Sequence, residues 1–276
     1  MPEAPRPTFT TLAVRLEDHI ARVELDRPDK ANALDEAMWR ELRAAMVWAD
    51  ATPEVRVVVL SGRGRHFCSG IDLAMFMGVQ QAIKDECQGR TNERLRAVIL
   101  DLQDCLTSLE RCRKPVLAAI HGACVGGGLD LVAAADLRYC SAEAHFSIKE
   151  IEIGMVADVG TLQRLPKLVP PGLVREWAYT GRKILAEEAR SCGLVNRVYD
   201  TSEALEAGVM DMARTIAARS PLSIRGTKEM LNHARDHSVA DGLAYIATWN
   251  AAMLVSQDIQ AAMMAGMTRQ TPEFRD

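Results

Sequence analysis

Three carboxylates and two glycine-bearing loops are the parts of this sequence that could do chemistry. Asp130 follows Gly126-Gly127-Gly128 and lies among Leu129, Leu131 and Val132. Glu150 closes Ser147-Ile-Lys-Glu150, and Asp158 sits in Gly154-Met-Val-Ala-Asp-Val-Gly160. Burial among apolar neighbours raises a carboxyl pKa, and an acid that titrates near neutral pH is fitted for proton transfer. Each acid also has a structural reading. Asp130 can complement a helix dipole, Glu150 can pair with Lys149 on the surface, and Asp158 can cap the helix carrying Leu162 and Leu168. From the residues alone, both readings stand.

The glycines at 126–128 lie between an apolar strand, Val116–Ile120, and the apolar run at 129–135. Consecutive glycines let a backbone approach another group closely, and N–H groups at a helix start point outward with the positive end of the dipole behind them. Such a turn serves a developing negative charge or tight strand-to-helix packing. A second loop, Phe67-Cys-Ser-Gly-Ile-Asp-Leu73, follows an apolar strand at 55–60. Two loops after parallel strands can each aim one N–H at a single oxygen, which is a main-chain oxyanion hole. Cys68 and Ser69 read as loop residues, because no histidine can be assigned to them as a partner base. His121-Gly122 is similar to the oxyanion loop of serine hydrolases, yet no G-x-S-x-G elbow occurs, nor a dinucleotide or P-loop glycine string.

The elements that must position these groups follow from hydropathy. Alternating residues on either side of Glu17-Asp18-His19 predict an N-terminal β-hairpin. Asp35 caps an amphipathic helix to about Asp50, and a long helix over 95–111 stops before Lys114-Pro115. Short strands follow at Leu137-Arg-Tyr-Cys, His145-Phe-Ser-Ile and 194–199. Strands with intervening helices indicate an α/β layered core. From 201 to 276 only helical spacing recurs. Met253, Met263, Met264 and Met267 there suit a core or a subunit interface equally.

A formal net charge of −4 with scattered Lys and Arg leaves no footprint for nucleic acid or an anionic membrane, so a small-molecule partner is expected. Seven cysteines without C-x-x-C pairs argue against a disulfide framework and against a metal site. The N-terminal residues lack an apolar h-region, no stretch is long enough to span a membrane, and Glu273-Phe-Arg-Asp276 is no peroxisomal address. Cytoplasm is the expected location.

Lys30-Ala-Asn-Ala-Leu34, Phe67-Cys-Ser-Gly-Ile-Asp-Leu73, Lys114-Pro-Val-Leu-Ala-Ala-Ile-His-Gly122 and Gly126-Gly-Gly-Leu-Asp130 occur in that order and spacing. Over nearly the whole chain the sequence resembles the crotonase (enoyl-CoA hydratase/isomerase) superfamily. The resemblance implies an α/β crotonase-like spiral of ββα units, with a core over 1–200 that holds the CoA-binding and catalytic site. It implies a helical C-terminal oligomerisation region over 201–276, a homotrimer or dimer of trimers, and an acyl-CoA thioester substrate. Coenzyme A would then be part of the substrate, with no further cofactor. By motif position the oxyanion amides would be Ile71 and Gly127. Substrate contacts would come from Lys30, Ala33, Leu34, Ser69, Gly70, Ile71, Asp72, Leu73 and Gly127, and the acyl pocket wall from 75–92 and a neighbouring subunit.

Within the superfamily the chain is most similar to the Δ3,5-Δ2,4-dienoyl-CoA isomerase subfamily. The segments that carry this are Ile148-Lys-Glu-Ile-Glu-Ile-Gly154, Ala157-Asp-Val-Gly-Thr-Leu-Gln-Arg-Leu-Pro166, Arg235-Asp-His-Ser-Val239 and Ala247-Thr-Trp-Asn250. Its three catalytic acids match Asp130, Glu150 and Asp158, whereas hydratases carry glutamate first and a small or apolar residue third. The implied reaction moves two double bonds of a 3,5-dienoyl-CoA in fatty-acid β-oxidation. Glu150 would work at C2 and Asp158 at C6, with Asp130 tuning Glu150. A trans-2-enoyl-CoA hydratase, a Δ3-Δ2-enoyl-CoA isomerase and a non-catalytic acyl-CoA-binding protein are the alternatives. The lysine-rich C-terminal stretch of many hydratases is absent, which leaves Arg269 or Arg275 for the CoA phosphates.

Overall fold

Alternation of apolar residues at the start of the chain produces the predicted hairpin. β1 (Leu12–Glu17) and β2 (Ile20–Leu25) pair antiparallel, and Asp18 and His19 turn the chain with φ of 49° and 65°. Two left-handed residues match the twist of the flanking strands. The structure is a computed structural model that describes residues 7–276. The N-terminal residues read above for an address lie, through residue 6, outside the described residues.

The chain continues through α1 (Glu36–Ala51), β3 (Val57–Gly62), α2 (Leu73–Ala82), α3 (Gln88–Arg111), β4 (Val116–Ile120), β5 (Ala123–Val125) and α4 (Gly127–Ala133). After these come β6 (Leu137–Ser141), β7 (His145–Ser147), a 3-10 turn at Glu150–Ile153, α5 (Thr161–Arg164), α6 (Pro171–Thr180), β8 (Ile184–Leu185), α7 (Ala186–Ser191) and β9 (Arg197–Tyr199). Beyond β9 every element is helical: α8 (Ser202–Ala217), α9 (Pro221–Asp236), α10 (Val239–Met253) and α11 (Gln257–Thr268). The capping of α1 by Asp35 is as expected, its side chain accepting from Met38 N at 2.9 Å.

A six-stranded sheet runs β1-β2-β3-β4-β6-β9, parallel except at β1–β2, and a smaller sheet runs β5-β7-β8. Strand β3 explains why its sequence is continuously apolar. Val58 and Leu60 join the core beneath α1 and α3, while Val57 and Val59 face Leu205, Val209 and Ala213 of α8. Both faces are covered, so no polar alternation is tolerated. The parallel order sends the loops after β3 and β4 out on the same edge of the sheet, the edge at which α/β folds place ligands.

Several boundaries differ from expectation. The strand expected at 55–60 is shifted two residues, because Val55 N turns back to Thr52 O and the ladder starts after Arg56 N meets His19 O. The long helix begins at Gln88 rather than 95. Only Arg197–Tyr199 of the expected last strand pairs with β6, since Leu194 and Val195 are held in a turn by Val195 N to Ala189 O at 3.1 Å.

The helical region is joined to the layered core, with α8 forming the second face of the sheet. From α9, the buried Lys228 ammonium donates to Leu109 O at 2.9 Å, Lys114 O at 3.1 Å and Asp136 Oδ2 at 2.7 Å. Asp136 in turn accepts from Val116 N at 2.7 Å, so one cation ties α9 to the end of α3 and the start of β4. Met263, Met264 and Met267 are exposed and take no part in this core. Lys228→Met is expected to lower stability by about 3 kcal/mol in urea unfolding, because it strands the Asp136 charge and two carbonyls. Adding Asp136→Asn should recover part of that loss, and a fully additive double variant would refute the coupling.

Candidate active site

Three loops converge on the C-terminal edge of the sheet. Asn32, fully buried between β2 and α1, holds two of them together. Its amide donates to Arg63 O at 2.9 Å and His66 O at 2.8 Å, and its oxygen accepts from Arg27 N at 2.9 Å. Leu34 bridges to the β3 loop, with Leu34 N on Gly70 O at 2.8 Å and Asp72 N on Leu34 O at 3.0 Å. Cys68 bridges to Cys124, which registers that loop against β5.

This zipper brings the two expected oxyanion amides side by side. A methyl placed on Gly127 would stand 3.7 Å from Ile71 N and 3.0 Å from Leu34 Cδ1. Gly126 has φ of 52°, a left-handed conformation that favours glycine, and a methyl there would lie 3.3 Å from Glu150 Oε1. Among the described residues neither the Ile71 nor the Gly127 N–H donates to a backbone or side-chain acceptor. Two free amides beside one carboxyl can polarise a carbonyl oxygen while the carboxyl works on the adjacent carbon.

The three acids meet here. Asp130, on α4, is fully buried, and its Oδ1 accepts from Thr161 N at 2.6 Å. It therefore caps α5, the role that the structural reading above gave to Asp158; Gly160 occupies the cap position itself. Nor does Glu150 pair with Lys149, whose ammonium binds Glu152 at 2.5 Å instead. Asp130 Oδ2 and Glu150 Oε2 are both buried and without a conventional donor, and the two carboxyls lie within hydrogen-bonding reach of each other. Their proximity disfavours ionisation of the pair, since two bare carboxylates this close cannot both ionise cheaply.

Burial, followed by the Asp130 charge, pushes Glu150 up to about 7. Asp130 is pushed up to about 6 by burial, against the opposing pull of Thr161 and Arg164. Asp158 is raised by burial alone, and its negative charge is among the causes that raise the other two. The half-buried Asp158 is held through its backbone, Gln103 Nε2 donating to Asp158 O at 2.6 Å. Arg164 is the cation nearest this cluster. It makes a two-pronged pair with Glu110 at 3.0 Å and donates to Val159 O at 3.3 Å. Its guanidinium fills the space under Gly160, where a methyl would stand 1.7 Å away.

The remaining expected residues divide into wall and scaffold. Lys30, Ser69 and Leu73 are exposed at the rim, and Leu34 is buried against Gly127. Ala33 O accepts from Arg27. Asp72 is scaffold, capping α2 through Ala74 N and pairing with Arg27 at 3.1 Å. Arg269 is exposed at the end of α11. Arg275 lies between Phe274 and Asp276, both held by Arg56 at the opposite edge of the sheet, so it does not reach this chain's own site. Among the described residues no cluster of His, Cys, Asp or Glu is arranged to hold a metal.

Sequence reasoning passed over Asn32 as a scaffold residue, Gln103, and Trp39. The buried Trp39 ring lies 3.7 Å from the Gly127 methyl position, with an indole N–H that has no acceptor. It lines a cavity of about 1030 Å³ with Met75, Val79, Ile83, Val98 and Leu102.

A raised carboxyl pKa has a stability consequence with a definite sign. Below about pH 4.5, Glu150 is protonated folded or unfolded and contributes no difference. Between about pH 4.5 and about 7 the unfolded chain ionises Glu150 while burial keeps it protonated in the folded protein, so native stability falls across that window and levels off above it. Glu150→Gln is therefore expected to be more stable than the parent by roughly 1–3 kcal/mol at pH 8.5, with the gap closing by pH 5. Urea midpoints at the two pH values measure it; a gap that is constant with pH would contradict the shift.

Comparison with known proteins gives this geometry a lineage. The family model described as enoyl-CoA hydratase/isomerase matches residues 15–276. The peroxisomal Δ3,5-Δ2,4-dienoyl-CoA isomerase of Arabidopsis thaliana is 43% identical over 268 residues, 97% of this chain and 96% of its own length. The mitochondrial enzyme of that name from Homo sapiens is 42% identical over 265 residues, 95% of this chain and 81% of its own. Among solved structures, an enoyl-CoA hydratase from Bacillus anthracis superposes with a TM-score of 0.88 at 28% identity, covering 96% of this chain and 99% of its own. One from Mycobacterium tuberculosis H37Rv gives 0.82 at 30% identity, covering 96% and 98%. With the match running from the first strand to the C-terminus, the chain belongs to the enoyl-CoA hydratase/isomerase family.

Proposed function

We propose that this protein is an acyl-CoA isomerase that converts 3,5-dienoyl-CoA to 2,4-dienoyl-CoA in fatty-acid β-oxidation. The observation that carries the reading is the third acid. Asp130 and Glu150 form one close carboxyl pair beside the free amides, and Asp158 stands as a separate carboxyl whose charge both feel. Relatives more than 40% identical over most of the chain are named as dienoyl-CoA isomerases, which supports the same assignment.

The roles follow from the chemistry of the shift. The thioester oxygen accepts from the Ile71 and Gly127 N–H groups, which acidifies C2 and holds the negative charge of the dienolate. Glu150 removes the C2 proton; its raised pKa makes it a stronger base than an ordinary carboxylate while leaving a substantial ionised fraction at pH 7. The electron pair spreads from C2 to C6, and Asp158 delivers a proton to C6, leaving double bonds at C2 and C4. An acyl chain displacing water from Asp158 raises its proton affinity further and prepares it as the acid. Asp130 keeps Glu150 basic by repulsion. Lys30, Ala33, Leu34, Ser69, Gly70 and Leu73 line the thioester and CoA entrance, with Asp72 holding their loop. The alkyl tail runs along the apolar cavity between α1, α2 and α3, whose Met75–Ile83 wall falls in the expected segment.

Coenzyme A enters as part of the substrate, and no step calls on a further cofactor. The protein assembles as a homotrimer or a dimer of trimers through α10 and α11, where Leu243, Leu254, Met263 and Met267 are exposed. No helix among the described residues is long and apolar enough to cross a membrane. Cytoplasm is the location read from the sequence, while the two relatives are named as peroxisomal and mitochondrial proteins.

The test is incubation with 3,5-octadienoyl-CoA, following the absorbance of the conjugated 2,4-diene, alongside crotonyl-CoA. Asp158→Asn is expected to lower diene formation by about 10²–10⁴-fold. An undiminished rate removes Asp158 from the mechanism, and turnover of crotonyl-CoA alone makes the protein a hydratase.

A further inference from the structure

Each turnover of the proposed reaction leaves two protons misplaced. The C2–H bond breaks onto Glu150 and a C6–H bond forms from Asp158, so the next cycle requires Glu150 to lose a proton and Asp158 to regain one. An internal relay would pass the proton from Glu150 through Asp130 to Asp158. The alternative is exchange of each acid with water.

The geometry disfavours the relay. Asp130 has one oxygen committed to Thr161 N and the other buried without a partner, and no hydrogen bond links Asp130 or Glu150 to the Asp158 carboxyl among the described residues. Asp158 instead lines a second cavity of about 560 Å³ that lies on another face of α3 from the apolar one. Its wall carries mostly polar side chains, among them Gln103, Thr107, Glu110, Gln163, Arg164 and Lys167, together with Val159. Gln163 and Lys167 are exposed at its mouth, and the space is large enough for a group of waters with ample polar partners. The charged wall groups are bound to one another: Arg164 and Arg235 to Glu110, and Lys167 and Arg235 to Asp236. None forms an ion pair with Asp158, so the wall attracts water without fixing the charge state of the acid. Val159 is the one aliphatic side chain among its lining residues, so an alkyl tail would gain little there.

We propose that this polar cavity is the proton-exchange port of Asp158, through which the acid is recharged from bulk water, so that the hydrogen placed on C6 comes from solvent and not from C2. The inference rests on the dienoyl isomerase reading and adds a path to it. Asp158 and Glu150 then work as two half-reactions joined only by the dienolate, each exchanging protons on its own side.

Two measurements with the full-length protein test it. With 3,5-octadienoyl-CoA deuterated at C2 and ordinary water, the 2,4-diene should carry no deuterium at C6, and in D2O the product should carry one. Deuterium carried from C2 to C6 would overturn the port in favour of the relay. Gln163→Trp, which plugs the mouth without touching the acids, should leave the first turnover unchanged and slow later ones at least three-fold, giving a burst of diene. Equal slowing or no slowing of both phases would overturn the port as well. Absence of diene from every reaction would instead dismiss the isomerase reading, and so the two failures are distinguishable.

Discussion

The constraint on which the site depends is the seating of the α4 N-terminus on the loop that follows β3. A methyl on Gly128 would stand 2.8 Å from Cys68 Cβ and 2.9 Å from Cys68 O, closer than any real side chain tolerates. Because that floor is glycine, α4 descends until the Gly127 and Ile71 amides lie side by side, with the Gly126 turn flush against Glu150. A single added methyl in the floor would separate the amides and lift Asp130 from Thr161. The paired Ile71 and Gly127 amides, the capped α5 and the neighbouring acids thus depend on one backbone contact. Asn32 and the Leu34–Ile71 bridge keep the facing loop from yielding.

That contact places acids where folding alone would not. Asp130 has no exposure, Glu150 has an oxygen without a donor, and the nearest guanidinium, Arg164, is already committed to Glu110 and Val159 O. A structural ion pair would have lowered these pKa values, as it does for Glu110, which stays below its ordinary value despite burial. Two neighbouring carboxyl environments in one protein therefore move in opposite directions. The difference is whether the cation is bonded to the acid or merely near it. Charges left uncompensated in this way reduce stability, and their place beside two unpaired amides supports the proton-transfer role proposed for them.

How much of this was legible beforehand depends on how local the cause is. The hairpin, the Asp35 cap and the buried strands are written in residues adjacent in sequence, so periodicity and capping chemistry found them. The glycine run and the three acids were visible as types, but their meeting was not, because residues 130, 150 and 158 are joined only by the packing of α4, the 3-10 turn and α5. Resemblance to a family supplied that juxtaposition before the structure did. The capping of α5 went to the wrong aspartate for the same reason. Asp158 stands two positions ahead of Gly160 and looks like a local cap, whereas Asp130 reaches Thr161 across 31 positions. Gln103 carried no signal at all, being one polar residue on a long amphipathic helix.

That helix separates the environments the chemistry needs. Along α3, Ala97, Val98 and Leu102 face the apolar cavity, while Gln103, Thr107 and Glu110, spaced four and three apart, face the polar one. A period of 3.6 residues places these sets on different sides of one cylinder. A dienolate survives only where water is excluded, yet an acid that is spent at every turnover must be recharged from water. In the proposed reaction a single wet pocket would quench the intermediate, and a single dry one would trap Asp158 as a carboxylate after its first proton. With α3 as the partition, the amide of Gln103 fixes the Asp158 backbone to it and the residue lines the cavity on the Gln103 side. On that proposal, Asp158 lies apart from the Glu150–Asp130 pair for a reason beyond the distance between two carbons, since it alone of the three acids lines the cavity beside Gln103.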